Sequence, residues 1–395
     1  MSARPMDVAM DRPVTFPDTG LGDGWEPTAL LTATLLLISF GLVNLYSASA
    51  VLAQRQNLPD YYYVLRQAAG AAAGLGVLVA CVRIPYGWWK TFAWPLLGAT
   101  WLLLVLVVVP WTTGIAPEVN GARRWVRLAG VTFQPSELAK IVLIVWTAAL
   151  AVRKQEFFRS LSKGLVPFLV VWTLLLIPVL LQPDFSTAFV IAFLAVTTVV
   201  VAGARVSHFV FLSIPLVPVV LLQLGVGFRL QRILAFRNPE EFASGAGYQV
   251  QQSLIAIGSG GLTGAGFGEG RQKFGFLPEP HNDFIFSMIG EEWGLIGVLA
   301  LAALYLTLIL VGFRIARHAP DLFGQLLAIG CTNLIAVHAI LHMSVGLGLL
   351  PSTGLSLPLV SYGRSNLIVN LIAIGMLMSV ARGTRRWKTG EMVDA

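Results

Sequence analysis

The stretch GRQKFGFLPEPHNDFIFSMIGEEWG, residues 270–294, sets six ionisable side chains besides Arg271 against the start of a long apolar run. These are Lys273, Glu279, His281, Asp283, Glu291 and Glu292. The run starts at Phe284 and continues as LIGVLALAALYLTLILVGF to Phe313, longer than the roughly 20 residues that a transmembrane helix needs. Ionisable groups at a membrane boundary are usually retained for a function. We therefore expect the Asp283 carboxylate where an aqueous loop enters the bilayer, a place suited to chemistry on a lipid-borne substrate.

Composition identifies the class of protein. Of 395 residues, 56% are hydrophobic and only 12% are charged, whereas soluble domains are roughly a quarter charged. Mean hydropathy is +0.75. The sequence thus predicts an all-α polytopic membrane protein, and apolar runs of about 17 residues or more indicate ten transmembrane helices. The predicted spans are 28–50, 66–82, 91–110, 136–152, 164–181, 185–203, 207–225, 284–313, 322–346 and 365–382.

The distribution of Lys and Arg predicts the orientation of these spans. Short connections rich in Lys and Arg face the cytoplasm. One set of connections and the C-terminal end carry Arg83, Lys90, Arg153, Lys154, Arg159, Lys163, Arg205, Arg314, Arg317, Arg382, Arg385, Arg386 and Lys388. Both termini are then cytoplasmic, and 111–135, 226–282 and 347–364 face the other side. The net charge of +7 reflects this distribution, since no basic stretch interleaved with aromatic residues indicates nucleic-acid binding.

The chain is predicted to be one membrane domain with two tails. Residues 1–27 carry several acidic residues among Pro and Gly without a short apolar core, which is typical of a disordered cytoplasmic tail and not of a signal peptide. The membrane domain spans 28–382, with one large extracytoplasmic loop, 226–282, between helices 7 and 8, and a C-terminal tail at 383–395. Cys81 and Cys331 indicate neither a disulfide framework nor a metal site.

A Gly-rich segment, GSGGLTGAGFGEG at 258–270, lies within this loop. Glycine permits positive φ and close backbone approach, so the segment could wrap a pyrophosphate with its amide groups. It matches neither the dinucleotide fingerprint nor the P-loop. Irregular backbone packed at a membrane surface is an equally good interpretation.

A second group of charges lies in GARRWVRLAGVTFQPSELAK, residues 121–140. Pro135 can begin a helix, and Glu137 and Lys140 are three residues apart on one face of it. A charge within a span costs roughly 2.5 to 3.5 kcal/mol, and an internal Glu137–Lys140 pair would offset part of this cost. A structural ion pair and a direct substrate contact both remain open. Arg123 and Arg124 could contact lipid headgroups or a substrate, and Asp184 is expected to cap a helix.

Several motifs together resemble one known family. They are NLYSAS at 44–49, GARRW at 121–125, QPSELAK at 134–140, QPD at 182–184, GYQ at 247–249, QSLIAIGSGG at 252–261, QK at 272–273, FLPEPHNDFIF at 276–286, GEEWG at 290–294 and LPSTGLSLPLVSYG at 350–363. Their order is similar to that of the shape, elongation, division and sporulation (SEDS) family, whose main members are FtsW and RodA. The resemblance covers roughly residues 28–382.

This resemblance implies a peptidoglycan glycosyltransferase that polymerises lipid II at the outer face of the bacterial inner membrane. It also implies a class B penicillin-binding protein as the partner that crosslinks the strands, together with other divisome or elongasome membrane proteins. The family's essential aspartate corresponds to Asp283. The tryptophan after GARR corresponds to Trp125, and the charged residues of the QPSE motif to Glu137 and Lys140. Ser361 of the SYG motif is expected to contact substrate.

Within the family, LPSTGLSLPLVSYG and the QK before the LPE motif look closer to FtsW, which polymerises septal peptidoglycan in cell division, than to RodA, which serves elongation. Two positions depart from the family pattern. Asn282 stands where Thr is usual, and Arg364 places a bulky cation in SYGRSN, where SYGGSS is commoner. The cation at Arg364 puts partner contacts or local geometry in doubt and leaves Asp283 in place.

The expected chemistry suggests roles for the charged residues. Inverting transfer of a sugar from a pyrophosphate carrier needs one general base and a cation near the leaving group. We expect Asp283 to take the proton. Arg124, Lys140, Arg232 and Lys273, with or without a divalent cation such as Mg²⁺ or Mn²⁺, are candidates for stabilising the pyrophosphate. Glu279, His281 and Asp283 would share one side of an extended segment and could bind that metal. No organic cofactor is expected.

Two other classes of function fit part of the sequence. A flippase of lipid-linked precursors would also have many spans and cationic groups, but alternating access favours a site near the bilayer midplane, and the charges here lie toward one face. A non-enzymatic scaffold that recruits a transpeptidase would tolerate replacement of Asp283.

Overall fold

The structure is a computed structural model and describes residues 24–112, 114–118, 122–128, 131–158, 160–213, 227–237 and 245–388. Within these ranges the chain is mainly helical. The helices are α1 Glu26–Arg55, α2 Tyr62–Arg83, α3 Gly87–Val108, α4 Pro135–Lys154, α5 Val166–Leu181, α6 Phe185–Val201, α7 Val206–Ser213, α8 Gly227–Arg237, α9 Ala246–Gly260, α10 Ile285–Arg317, α11 Leu322–Gly346 and α12 Arg364–Lys388. The strands are β1 Val126–Leu128 and β2 Val131–Phe133, an antiparallel hairpin before α4.

The predicted polytopic all-α class is confirmed. Among the described residues, 8 helices are long and apolar enough to cross a membrane, and α6 is a shorter apolar helix of 17 residues. Each of these nine helices overlaps one of the predicted spans. Of the seventh predicted span, 207–225, only the part to Ser213 is described. Of the predicted tail at 1–27, residues 1–23 lie outside the described residues. At the other terminus α12 continues to Lys388, beyond the predicted end of the last span.

The predicted extracytoplasmic loop at 226–282 contains two helices that were not predicted from the sequence, α8 and α9. Each helix is too short to register as a span, and α8 has a strongly basic sequence, FRLQRILAFR. Helix α9 packs against α10 and α8. Most of its stability as a helix thus comes from tertiary packing, which hydropathy alone does not reveal.

Helix α10 is interrupted at Gly294, whose backbone has φ +62° and ψ −160°. The Gly-rich segment fills this interruption. The amide of Ala265 donates to the carbonyl of Glu291 at 2.9 Å, and the amide of Leu295 donates to the carbonyl of Gly261 at 3.0 Å. A Cβ on Gly294 would lie 2.4 Å from the Gly264 nitrogen. Because these amides bond to backbone, the structure favours irregular packed backbone over a pyrophosphate cradle in this segment.

The centre of the bundle is formed by α4, α11 and α12. The apolar window of α4 is 83% buried and those of α11 and α12 are 67% and 72% buried, whereas that of α3 is 28% buried. Helix α4 contacts α3, α6 and α11, and α12 packs along α2. Polar residues on these central helices therefore lie inside protein and not against lipid, which reduces their cost at membrane depth.

Candidate active site around Asp283

Asp283 lies in a tight turn immediately before α10. Its amide donates to the carbonyl of Glu279 at 3.1 Å. The carboxylate lines a cavity of about 60 Å³, space for about two water molecules. Polar side chains and loop backbone from four other segments complete the lining, including Arg232, Gln249, His342, Ser352, Thr353 and Gly354. The cavity can therefore hold one functional group of a substrate beside Asp283.

The Asp283 carboxyl is electrostatically suited to exchange a proton. Burial and the nearby charge of Glu279 raise its pKa from 3.8 to about 6, and Arg232 opposes this shift. Its Oδ1 is buried and has no hydrogen-bond partner among the residues that the structure describes. A carboxylate with a raised pKa and an unengaged oxygen in a polar cavity can act as a general base.

Arg232 is the cation that the structure places beside Asp283. It comes from α8 and donates to the carbonyl of Ser352 at 3.1 Å, which joins α8 to the segment before α12. Burial lowers the pKa of Arg232, and the neighbouring charge of Arg124 acts in the same direction, while Asp283 opposes both. The charges of Arg124, Arg232 and Asp283 therefore influence one another at this end of the bundle.

Arg124 is held by the turn between α5 and α6. Its Nε donates to the carbonyl of Gln182 at 3.0 Å, and a terminal nitrogen donates to the carbonyl of Pro183 at 2.9 Å. The expected cap is present, since the Thr187 amide donates to Asp184 Oδ1 at 3.2 Å. Trp125 follows Arg124 and is half-buried before β1. Arg124 thus contributes charge near the cavity, and its hydrogen bonds fix the turn.

Glu137 and Lys140 form the predicted ion pair, with Nζ 2.7 Å from Oε1. The pair is buried in the bundle. Asn366 donates to the second carboxylate oxygen of Glu137 at 3.0 Å, and Lys140 Nζ lies 2.9 Å from His338 Nε2. Neither member of the pair lines the Asp283 cavity. This geometry favours the structural interpretation, because the pair is buried in the bundle and does not line the Asp283 cavity.

Lys273 does not line the cavity either, contrary to its expected place near the leaving group. Its Nζ lies 2.9 Å from Glu292 Oε1 and donates to Ser47 Oγ at 2.8 Å. The adjacent Glu291 carboxylate accepts the Arg271 amide at 2.7 Å. The Lys273 ammonium lies at this site because the Gly-rich segment folds back onto the turn of α10 that contains Glu291 and Glu292.

Residues 279–284 form a turn, so the expectation of an extended segment is wrong. The amides of Asn282 and Asp283 both donate to the carbonyl of Glu279. Glu279 is largely exposed and lies 3.6 Å from His281 Nε2, while His281 is buried with its ring 5.2 Å from that of Tyr63. Burial lowers the pKa of His281. No three His, Cys, Asp or Glu side chains in the described part of the chain form a group that could hold a metal ion.

Ser361 forms a hydrogen bond to the backbone of the turn at 279–284. Its hydroxyl donates to the carbonyl of Asn282 at 2.8 Å and accepts the amide of Leu357 at 2.9 Å. Ser356 donates to the Asn282 side chain at 3.0 Å, so the unusual Asn282 has a partner. Ser361 is absent from the cavity lining. It joins the segment before α12 to the residue that precedes Asp283.

Arg364, the other departure, reaches the hairpin. Its guanidinium donates to Thr132 Oγ1 on β2 at 2.9 Å. Its side chain packs over Gly70 of α2, where an added Cβ would lie 2.9 Å from Arg364 Cγ. The following residue, Ser365, accepts the amide of Gln134 at 3.0 Å. The bulky cation is accommodated because α2 presents a glycine to it.

Sequence reasoning missed His338 and His342. Both lie on α11 and are almost completely buried, and isolated histidines in an apolar span resemble core residues. Their separation of four residues places them on one face of the helix. That spacing was the available signal, but only the fold shows that the face points toward Lys140 and the Asp283 cavity.

Comparison with known proteins gives a consistent result. The sequence profile of the cell cycle protein family FtsW/RodA/SpoVE matches residues 28–386. A Geobacter sulfurreducens protein named "Probable peptidoglycan glycosyltransferase FtsW" is 41% identical over 353 residues, covering 89% of this chain and 94% of the relative. Stage V sporulation protein E of Bacillus subtilis is 40% identical over 358 residues, covering 90% of this chain and 97% of the relative.

Solved structures agree with the sequence relatives. A chain from a study described as "Structural coordination of polymerization and crosslinking by a peptidoglycan synthase complex" matches with TM-score 0.73 and 31% identity, over 90% of this chain and 97% of that chain. The rod shape determining protein RodA of Thermus thermophilus matches with TM-score 0.62 and 30% identity, over 89% of this chain and 95% of that chain.

Proposed function

Because the chain belongs to the FtsW/RodA/SpoVE family, we propose that it is a peptidoglycan glycosyltransferase that polymerises lipid II with Asp283 as general base. The observation that carries this proposal is the buried Asp283 carboxylate, its pKa raised to about 6, in a polar cavity beside Arg232. Relatives named peptidoglycan glycosyltransferase FtsW support the reaction class.

The reaction follows from the cavity's chemistry. The acceptor sugar hydroxyl attacks the anomeric carbon of the donor while its proton passes to a carboxylate oxygen of Asp283. A new glycosidic bond forms, the bond from carbon to the pyrophosphate oxygen breaks, and the configuration inverts. Since Asp283 must be ionised to accept the proton, its raised pKa brings its basicity close to neutral pH, where a general base is most effective.

Charge on the departing pyrophosphate needs a cation. Arg232 is placed for this role at the cavity, and Arg124 adds a second positive charge nearby. A cation fixed by the fold stabilises developing negative charge without reorganising in the transition state. A divalent cation such as Mg²⁺ or Mn²⁺, for which the unengaged Asp283 oxygen is a suitable hard ligand, would supply further charge neutralisation. The need for a divalent cation is a prediction, which the polymerisation rate after metal chelation and repletion can test.

Location and partners are part of the same proposal. The basic residues at the ends of α2, α4, α10 and α12 support a cytoplasmic position for that end of the bundle. We therefore propose that Asp283 lies at the outer face of a bacterial inner membrane and that both termini are cytoplasmic. The likeness to a chain from a peptidoglycan synthase complex supports a class B penicillin-binding protein as partner. Relatives named FtsW support septal synthesis in division over elongation.

The decisive experiment compares Asp283→Asn with Asp60→Asn in full-length protein purified with its transpeptidase partner. Both variants remove one carboxylate, and Asp60 lies in the connection between α1 and α2, outside the cavity lining. The rate of lipid II polymerisation in detergent should fall at least about 100-fold for Asp283→Asn and stay at the parent value for Asp60→Asn. Parent-rate polymerisation by folded Asp283→Asn would contradict the base assignment. A parent protein without polymerase activity in detergent would favour the flippase or the scaffold.

A further inference from the structure

The ring of His342 has a fixed hydrogen-bonding state. On α11, its Nδ1 lies 2.7 Å from the carbonyl oxygen of Leu355. A carbonyl oxygen can only accept, so Nδ1 carries the proton and donates. In the neutral ring the other nitrogen, Nε2, is then a hydrogen-bond acceptor. His342 therefore presents an acceptor, and not a donor, on its far side.

His338 provides an internal comparison one helical turn away. Its Nδ1 lies 2.8 Å from the carbonyl oxygen of Leu334, which fixes the same tautomer. Its Nε2 receives a donor from inside the protein, the Lys140 ammonium at 2.9 Å. His342 Nε2 is equally buried but has no hydrogen-bond partner among the residues that the structure describes. A buried acceptor without a donor is costly.

The place of His342 indicates what could supply the missing donor. His342 and Leu355, the residue that fixes its ring, both line the cavity that contains Asp283. The side chain is 1% exposed, so the cavity is its available route to a ligand. We propose that His342 Nε2 accepts a hydrogen bond from an uncharged donor of the sugar portion of the substrate, a hydroxyl or acetamido N–H group, while Asp283 faces the reacting hydroxyl. This inference rests on the function proposed above.

Because His342 Nε2 can only accept a hydrogen bond, it can bind some parts of the substrate and not others. An ionised pyrophosphate offers oxygen acceptors and cannot donate to Nε2, whereas Arg232 at the same cavity is suited to anions. The two sides of the cavity would thus recognise different parts of one lipid-linked sugar. His342 acts on substrate binding and takes no proton in the reaction.

A spectroscopic test separates this role from a structural one. The chain has five histidines, so ¹⁵N-histidine labelling of full-length Asp283→Asn protein gives a spectrum that single variants can assign. Adding lipid II should shift the unprotonated Nε2 resonance of His342 and leave that of His338 in place. Undecaprenyl pyrophosphate, which lacks the sugars, should leave both in place. An unchanged His342 resonance at saturating lipid II, or a shift with the pyrophosphate alone, would overturn the proposal.

A matched pair of variants gives the kinetic test. Asn and Leu have similar size, but the Asn amide nitrogen can take the place of Nδ1 and still donate to Leu355, while Asn has no acceptor at the position of Nε2. His342→Leu and His342→Asn should therefore both raise KM about 3- to 10-fold, the effect of one lost hydrogen bond, with a smaller change in kcat. The same pair at His318, near the far end of α10, should have no effect. Parent KM in folded His342→Leu would overturn the inference while leaving Asp283 as the base, which only the Asp283→Asn rate tests.

Discussion

The Ser361 hydroxyl donates a 2.8 Å hydrogen bond to the carbonyl oxygen of Asn282, the residue that precedes Asp283. The same hydroxyl accepts the Leu357 amide, so one side chain connects two irregular segments behind the proposed base. The precision of the Asp283 position therefore depends on a residue that does not line the cavity.

Replacement of Ser361 should impair both the reaction and the stability of the fold. Ser361→Ala removes both hydrogen bonds and should reduce the free energy of unfolding by about 1 to 3 kcal/mol, while kcat falls about 10-fold or more because the Asp283 turn loses its support. Polymerisation rate and thermal unfolding in detergent measure the two effects. The control Ser259→Ala removes a hydroxyl that donates to the Ala256 carbonyl within α9 and should change neither. A Ser361→Ala enzyme with parent kcat would show that the turn does not need this contact.

The Glu137–Lys140 pair should be strongly coupled. Lys140→Met leaves the buried Glu137 carboxylate without its main counter-charge and should destabilise the protein by about 3 to 5 kcal/mol. Glu137→Gln in the same chain should recover part of that loss, because the neutral amide no longer needs a cation. A double-mutant cycle on the free energy of unfolding measures the coupling. Additive single effects would mean that the pair does not contribute as a unit.

The interruption of α10 should require glycine at position 294. Gly294→Ala places a Cβ 2.4 Å from the Gly264 nitrogen in a backbone region that is essentially restricted to glycine, and should destabilise the protein by about 3 kcal/mol or more. Gly98→Ala on α3 is the control, since nothing lies within 4 Å of its added Cβ. Equal melting temperatures of the two variants would contradict this account of the Gly-rich segment.

Much of the fold follows from the sequence because the bilayer imposes simple lengths. A run of 20 apolar residues has few alternatives to a spanning helix, and the Glu137–Lys140 pair follows from helical spacing and the cost of an isolated charge. Asp283 was predicted to be important because it lies directly before such a run. These inferences need only local information.

What the sequence left unresolved depends on contacts between distant residues. The Gly-rich segment binds to the backbone of α10, Lys273 is held by Ser47 and Glu292, and the 279–284 turn is set by hydrogen bonds from the segment before α12. In the sequence, His342 resembles an ordinary core residue because it is an isolated histidine in an apolar span. It becomes a candidate for binding only when Leu355 and Asp283 are placed beside it.

The pH dependence of kcat/KM tests the central role of Asp283 most directly. Its pKa of about 6 means that the ionised, proton-accepting form is lost as pH falls through that value, so kcat/KM for lipid II should decline about 10-fold per pH unit below it and level off above it. The residual activity of Asp283→Asn should lack this acid limb. A parent profile that is flat from pH 5 to pH 8, or an identical limb in Asp283→Asn, would contradict the assignment of Asp283 as the base.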